Sequence, residues 1–85
     1  MLTNLKHVWD FRITFPELTE NQFRVLALYS FGYDHRIISD LLGCSQNAVK
    51  MTFRKIKEKL DIDEIGSARA IFNTRVFTLL AIKIQ

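Results

Sequence analysis

Cysteine, proline, glycine and histidine are all scarce in this 85-residue chain: one Cys, one Pro, three Gly and two His. A lone Cys44 cannot close a disulfide within the chain, and His7 and His35 lie too far apart for metal-ligand spacing, so a disulfide scaffold and a metal centre are not expected. A reducing compartment suits such a sequence. There is no paired nucleophile and base, no glycine-rich phosphate loop and no carboxylate constellation near the histidines, which argues against an enzyme and against any cofactor. No small-molecule ligand is evident either. No apolar run reaches the roughly 18 to 20 residues that a membrane span needs, and no charged start, apolar run and small-residue cleavage site occur in sequence. A soluble cytoplasmic protein without a membrane partner is the expectation.

What is present suits one small folded domain. Hydrophobic residues make up 48% and charged residues 25%, ordinary globular values that exclude a disordered tail. A chain this short buries a modest share of its surface, so oligomerisation is a natural way to add buried area. The net charge of +3 says little as a total. Its placement says more: "LLGCSQNAVKMTFRKIKEKL", residues 41 to 60, holds five of the twelve basic residues beside an apolar stripe at helical spacing.

Start and stop signals divide residues 18 to 60 into three helices. Thr19 is placed to cap the first, with Gln22 three residues on to complete a capping box and Leu18 and Phe23 at staple spacing. Phe23, Leu26, Ala27 and Ser30 follow the inward spacing, and Gly32 suits the left-handed cap at its end. Asp34 caps a short second helix with Ile38, Leu41 and Leu42 inward, stopped by Gly43. Ser45 caps the third, whose stripe Val49, Phe53, Ile56 and Leu60 faces the core. After the acids of "DIDE", a fourth helix is predicted from about 64 to 80. Its apolar positions, among them Ile65, Ala68, Ile71, Phe72, Val76, Phe77, Leu79, Leu80 and Ile82, cover more than one face, so part of that surface wants a partner.

Before Pro16 the pattern changes. Trp9, Phe11, Ile13 and Phe15 alternate with Asp10, Arg12 and Thr14 at period two, which predicts a strand. A lone strand has no partner in a helical chain, leaving three readings: an arm packed on the core, an edge pairing across a dimer, or a helical extension. Trp9 could serve as core, arm anchor or partner contact.

On the third helix, Lys50, Arg54 and Lys57 share a flank with Asn47, Met51 and Glu58. Alone, a basic outer face is an ordinary solvated helix surface. The setting adds weight, because a short capped helix, the turn "GCS" and a longer basic helix have helix-turn-helix spacing, and such a second helix fits a major groove about 12 Å wide.

The chain resembles the LuxR/GerE type of DNA-binding domain. The resemblance spans residues 18 to about 72, through "LT" at 18 and 19, "VLAL" at 25 to 28, Gly32, Ile38, "LLG" at 41 to 43, Ser45, "VK" at 49 and 50, Ile56 and "KLDI" at 59 to 62. It implies an all-α, four-helix helix-turn-helix domain over residues 17 to 85, with a short N-terminal arm over residues 1 to 16. By position it assigns base contacts to Lys50, Met51 and Arg54, although Met51 is nearly as well read as an adaptable surface residue. Arg36, Ser45, Gln46, Asn47, Lys55 and Lys57 are phosphate candidates. The family's use of its last helix for dimerisation suits the apolar surplus there, and Ile65, Ala68, Phe72, Val76 and Leu79 are the candidate contacts. Departures occur at Asn21, Gln22, Ile37, Ile38, Ser39, Ala48 and Thr52; the missing hydroxyl at Ala48 removes a possible phosphate contact. Cys44 stands where the family has an aliphatic residue and is expected to be buried, whereas His7 and His35 are expected at the surface.

Two functions follow. The first is a transcriptional regulator consisting of little more than this domain, binding double-stranded DNA as a homodimer. The alternative is a module that heterodimerises with a larger regulator through the fourth helix or the "WDFRITF" arm, an idea prompted by the lack of a sensor domain.

Overall fold

The computed structural model describes the backbone of residues 2–84 and the side chains of residues 8–84. The side chain of His7 lies outside that range. Four α-helices follow an N-terminal 3-10 helix, Leu2–Thr14: α1 (Glu20–Ser30), α2 (His35–Leu42), α3 (Gln46–Leu60) and α4 (Ile65–Ile84). The chain is therefore all-α over the described residues.

The caps form where local chemistry places them. The Thr19 side chain accepts from the Gln22 amide at 3.2 Å, and the Gln22 side chain accepts from the Thr19 amide at 3.0 Å, closing the box. At the far end of α1, the Gly32 amide donates to the Tyr29 carbonyl and the Tyr33 amide to the Leu28 carbonyl, a Schellman pattern that needs the positive φ of 105° at Gly32. Asp34 caps α2 through the amides of Arg36 and Ile37, and Gly43 ends it at φ 68°. The Ser45 hydroxyl accepts from the Ala48 amide at 3.0 Å and starts α3. Asp61 acts differently from its expected part as an acid at the start of α4. It closes α3 in the left-handed conformation, at φ 55°, while the Ile62 amide donates to the Lys57 carbonyl.

The core is organised on α1, whose Phe23, Val25, Leu26, Ala27 and Leu28 are all buried. α3 and α4 pack on α1 and on each other, and α2 packs on α3 and α1. Phe72 of α4 sits among aromatic rings, with centroids 5.9 Å from Phe15, 6.0 Å from Phe23 and 6.1 Å from Phe31. α4 continues past residue 80 to Ile84, because "VFTLLAIKI" contains neither glycine nor proline to stop it.

The strand expected before Pro16 is a helix instead. Period two would place Ile13 inside with Trp9, Phe11 and Phe15, yet Ile13 is 74% exposed while Val8, Trp9 and Phe11 pack against the core. Three residues per turn bring Val8, Phe11 and Thr14 to one edge, and a helix satisfies its own amides where a lone strand would leave them unpaired. Among the described residues this helix touches α1 and α4 but neither α2 nor α3.

A candidate nucleic-acid interface on α3

The inner face of α3 sets its rotation. Val49 and Ile56 are buried, and Phe53 lies against Tyr29 with ring centroids 5.0 Å apart. Tyr29 is held in turn by Arg69, whose Nε donates to the Tyr29 carbonyl at 2.8 Å and whose guanidinium lies 3.8 Å over the ring. With that face locked, 100° per residue carries Asn47, Lys50, Met51, Arg54, Lys55 and Glu58 to the outside, where all six are exposed. Met51, at 56% exposure, is the apolar member of this exposed face.

No carboxylate lies within salt-bridge distance of Lys50, Arg54, Lys55 or Lys59 among the described residues. Glu58 is the one acid between Lys50 and Lys59, and it forms no ion pair there among the described residues; cationic charge without such a partner is the condition in which a polyanion gains by displacing counterions. Among the described residues the N-terminal helix packs on α1 and α4 and does not contact α3.

The remaining candidates are placed less uniformly. Gln46 and Ser45 are exposed at the N-terminus of α3, and the Ser45 hydroxyl, which caps by accepting, keeps its hydrogen free to donate. Lys57 is only half exposed, turned toward the edge of the core stripe. Arg36 is exposed but paired with Asp34, its Nη2 donating to Oδ2 at 3.1 Å. Asp34 is held below the usual carboxylate range, first by the Ile37 amide and then by the Arg36 guanidinium, so the α2 N-terminus is already supplied with its anion. Thr52 turns its hydroxyl onto the Ala48 carbonyl at 2.9 Å and offers little outward. Lys59 was not among the sequence candidates, but it is exposed one turn beyond Lys55, and that i, i+4 spacing is the signal that could have found it.

Two expectations fail here. Cys44 is exposed, not buried: the left-handed turn at Gly43 commits its amide to the Ser39 carbonyl and turns its side chain to solvent. Ala68 and Phe72 are also unavailable as subunit contacts, since both are sealed in the chain's own core at 0% and 4% exposure. Ile65, Val76 and Leu79 are half-buried, and the exposed large side chains of α4 are Phe77, Ile82 and Ile84. His35 is half-buried, and no group of three His, Cys, Asp or Glu residues is placed to hold a metal ion among the described residues. No helix there is long and apolar enough to cross a membrane.

No family model, no curated protein and no solved structure matches this chain.

Proposed function

We propose that this chain binds double-stranded DNA sequence-specifically and regulates transcription, laying the outer ridge of α3 in the major groove. The observation that carries the reading is a cationic helix flank, Lys50, Arg54, Lys55 and Lys59, exposed and with no carboxylate in salt-bridge distance among the described residues, on a helix whose other face is fixed in the core. Rigid support matters because base readout depends on placing donors to within about half an ångström. The resemblance of residues 18 to 72 to the LuxR/GerE type supports the same assignment.

Roles divide by chemistry. Arg54 can donate two hydrogen bonds to guanine O6 and N7, Lys50 can reach a guanine or a phosphate, and Met51 suits a thymine methyl. Lys55, Lys59, Ser45, Gln46 and Asn47 meet phosphates and set the register without reading sequence. Lys57 and Arg36 contribute less, the first partly withdrawn and the second already paired. Two copies joined through the exposed side of α4 would present two such ridges to half-sites about one helical turn apart. Such a protein works where the chromosome is, in the bacterial cytoplasm.

The test is a binding titration on a duplex selected from a random pool. Arg54→Ala is expected to lose about 1 to 3 kcal/mol of affinity for the selected duplex and little for unselected DNA. Equal binding by wild type and Arg54→Ala refutes the base assignment. A purified chain that binds no duplex until a larger regulator is added favours the heterodimer reading instead.

A further inference from the structure

Val49 and Ile56 are the buried residues of α3, and at 3.6 residues per turn they stand only about 20° apart around the helix. A pair so nearly in line fixes where the axis lies but does little to stop the helix rolling about it. Phe53 stands about 40° round from Val49, toward Lys50 and Arg54, so the seat of its ring decides how α3 is turned. That seat is Tyr29, with ring centroids 5.0 Å apart and planes at 57°.

Tyr29 is itself held from α4. Its carbonyl accepts from the Gly32 amide at 3.0 Å and from Arg69 Nε at 2.8 Å, and the Arg69 guanidinium lies 3.8 Å over its ring. The last turn of α1 has no basic residue of its own, so Arg69 supplies, from 40 residues away, the cation that a helix C-terminus favours. Arg69 has a fixed base, because Ala68 before it and Phe72 after it are buried in the core. Among the described residues no carboxylate pairs with it.

We propose that Arg69 is a positioning residue for base readout: through Tyr29 and Phe53 it sets the rotation of α3 that aims Lys50 and Arg54. The inference rests on the reading of α3 as the DNA-binding helix and adds what aims it. Tyr29, Phe53 and Arg69 are not among the residues that carry the family resemblance.

Magnitude separates reading from holding. A roll of about 10° moves a group about 6 Å from the helix axis by about 1 Å, twice the half-ångström within which a donor must be placed. A lysine on a phosphate follows such a shift with its flexible stem. Loss of Arg69 therefore lowers sequence preference and leaves the sequence-independent attraction in place.

The test compares wild type, Arg69→Gln, Arg54→Ala and the double variant on the selected duplex and on unselected DNA. Arg69→Gln is expected to lower the preference for the selected duplex about three- to tenfold, with the salt slope on unselected DNA unchanged. Added to Arg54→Ala, it is expected to cost much less preference than it costs alone, since a side chain that it aims is gone. Where circular dichroism shows that Arg69→Gln has lost helix, Arg69→Lys carries the test. That variant keeps a cation at the end of α1 but lacks the flat guanidinium that lies on Tyr29, and the same loss of preference is expected. Full preference in the folded variant, beside a loss in Arg54→Ala, would overturn the role of Arg69 and leave the α3 reading standing. A slope lowered by about 0.9 would make Arg69 a phosphate contact, and losses that add in full would separate it from Arg54; either result overturns the positioning role. A wild type with no preference to lose would overturn the α3 reading itself.

Discussion

Among the described residues, Lys50, Arg54, Lys55 and Lys59 along α3 are exposed with no acid within salt-bridge distance, whereas along distal α4 Thr74, Phe77, Thr78 and Ile82 are exposed beside Arg75, which is already paired with Glu17. The two surfaces sit on helices packed against each other and against α1, so the difference is one of side chains rather than of scaffold. An unpaired cationic ridge gains most from a polyanion that releases counterions, and a neutral apolar one gains most from a body it can exclude water with. One small core thus carries two surfaces of contrasting chemistry, one cationic and one largely uncharged.

The largest expected effect separates the inner and outer sides of α4. Phe72→Ala removes the ring that Phe15, Phe23 and Phe31 pack around and should cost about 3 to 5 kcal/mol in urea denaturation. Phe77→Ala, one and a half turns later and 66% exposed, should stay within about 0.5 kcal/mol when measured at concentrations where the chain is monomeric. Equal losses would show that α4 is packed on both sides. On α3, Ser45→Ala deletes the cap and should cost about 1 kcal/mol of stability by the same assay, with DNA binding weakened in step because the ridge frays at its first turn.

A smaller effect sharpens the charge contrast. Lys55→Ala and Lys59→Ala should each weaken binding to all duplexes about equally and lower the salt slope by about 0.9, the value of one phosphate contact. Arg36→Ala should change the slope less, since Asp34 already engages that charge. If all three variants shift the slope alike, the Asp34 pairing does not matter in solution.

The pH dependence lies away from the α3 ridge. Glu17 is held below its ordinary value chiefly by hydrogen bonds from Arg75, and Asp34 chiefly by the Ile37 amide. A lowered folded value means that the stabilisation is complete above the ordinary carboxylate range, about pH 4 to 4.5, and is lost as pH falls through the folded values. Acid unfolding followed by circular dichroism should therefore show a limb below that range, shallower in Glu17→Gln. An unchanged limb in that variant would mean that Arg75 does not hold Glu17 in solution.

The legible parts of this molecule are the local ones. Thr19 with Gln22, Gly32, Asp34, Gly43 and Ser45 act through hydrogen bonds spanning two to five residues, so residue type and spacing are enough to place them. The outer flank of α3 was legible for the same reason, because Val49 and Ile56 announce which side is inward and the rest follows at 100° per residue. On α4 that logic fails. Apolar residues surround the helix, so nothing in their periodicity separates buried Ala68 and Phe72 from exposed Phe77 and Ile82. The N-terminal segment misled because its alternation includes Ile13, and its anchor, Arg75, lies about sixty residues away. Cys44 was misplaced because its direction depends on the left-handed backbone at Gly43 rather than on its own character.

The most direct test of the central claim is a salt titration of wild-type chain on duplex DNA. An open cationic ridge on α3 predicts that log K falls linearly with log salt, by about 0.9 per phosphate neutralised, with a slope reduced in Lys50→Ala and unaltered in Asn21→Ala, an exposed position on α1. Binding that ignores salt, or a slope that drops for Asn21→Ala and not for Lys50→Ala, would contradict it.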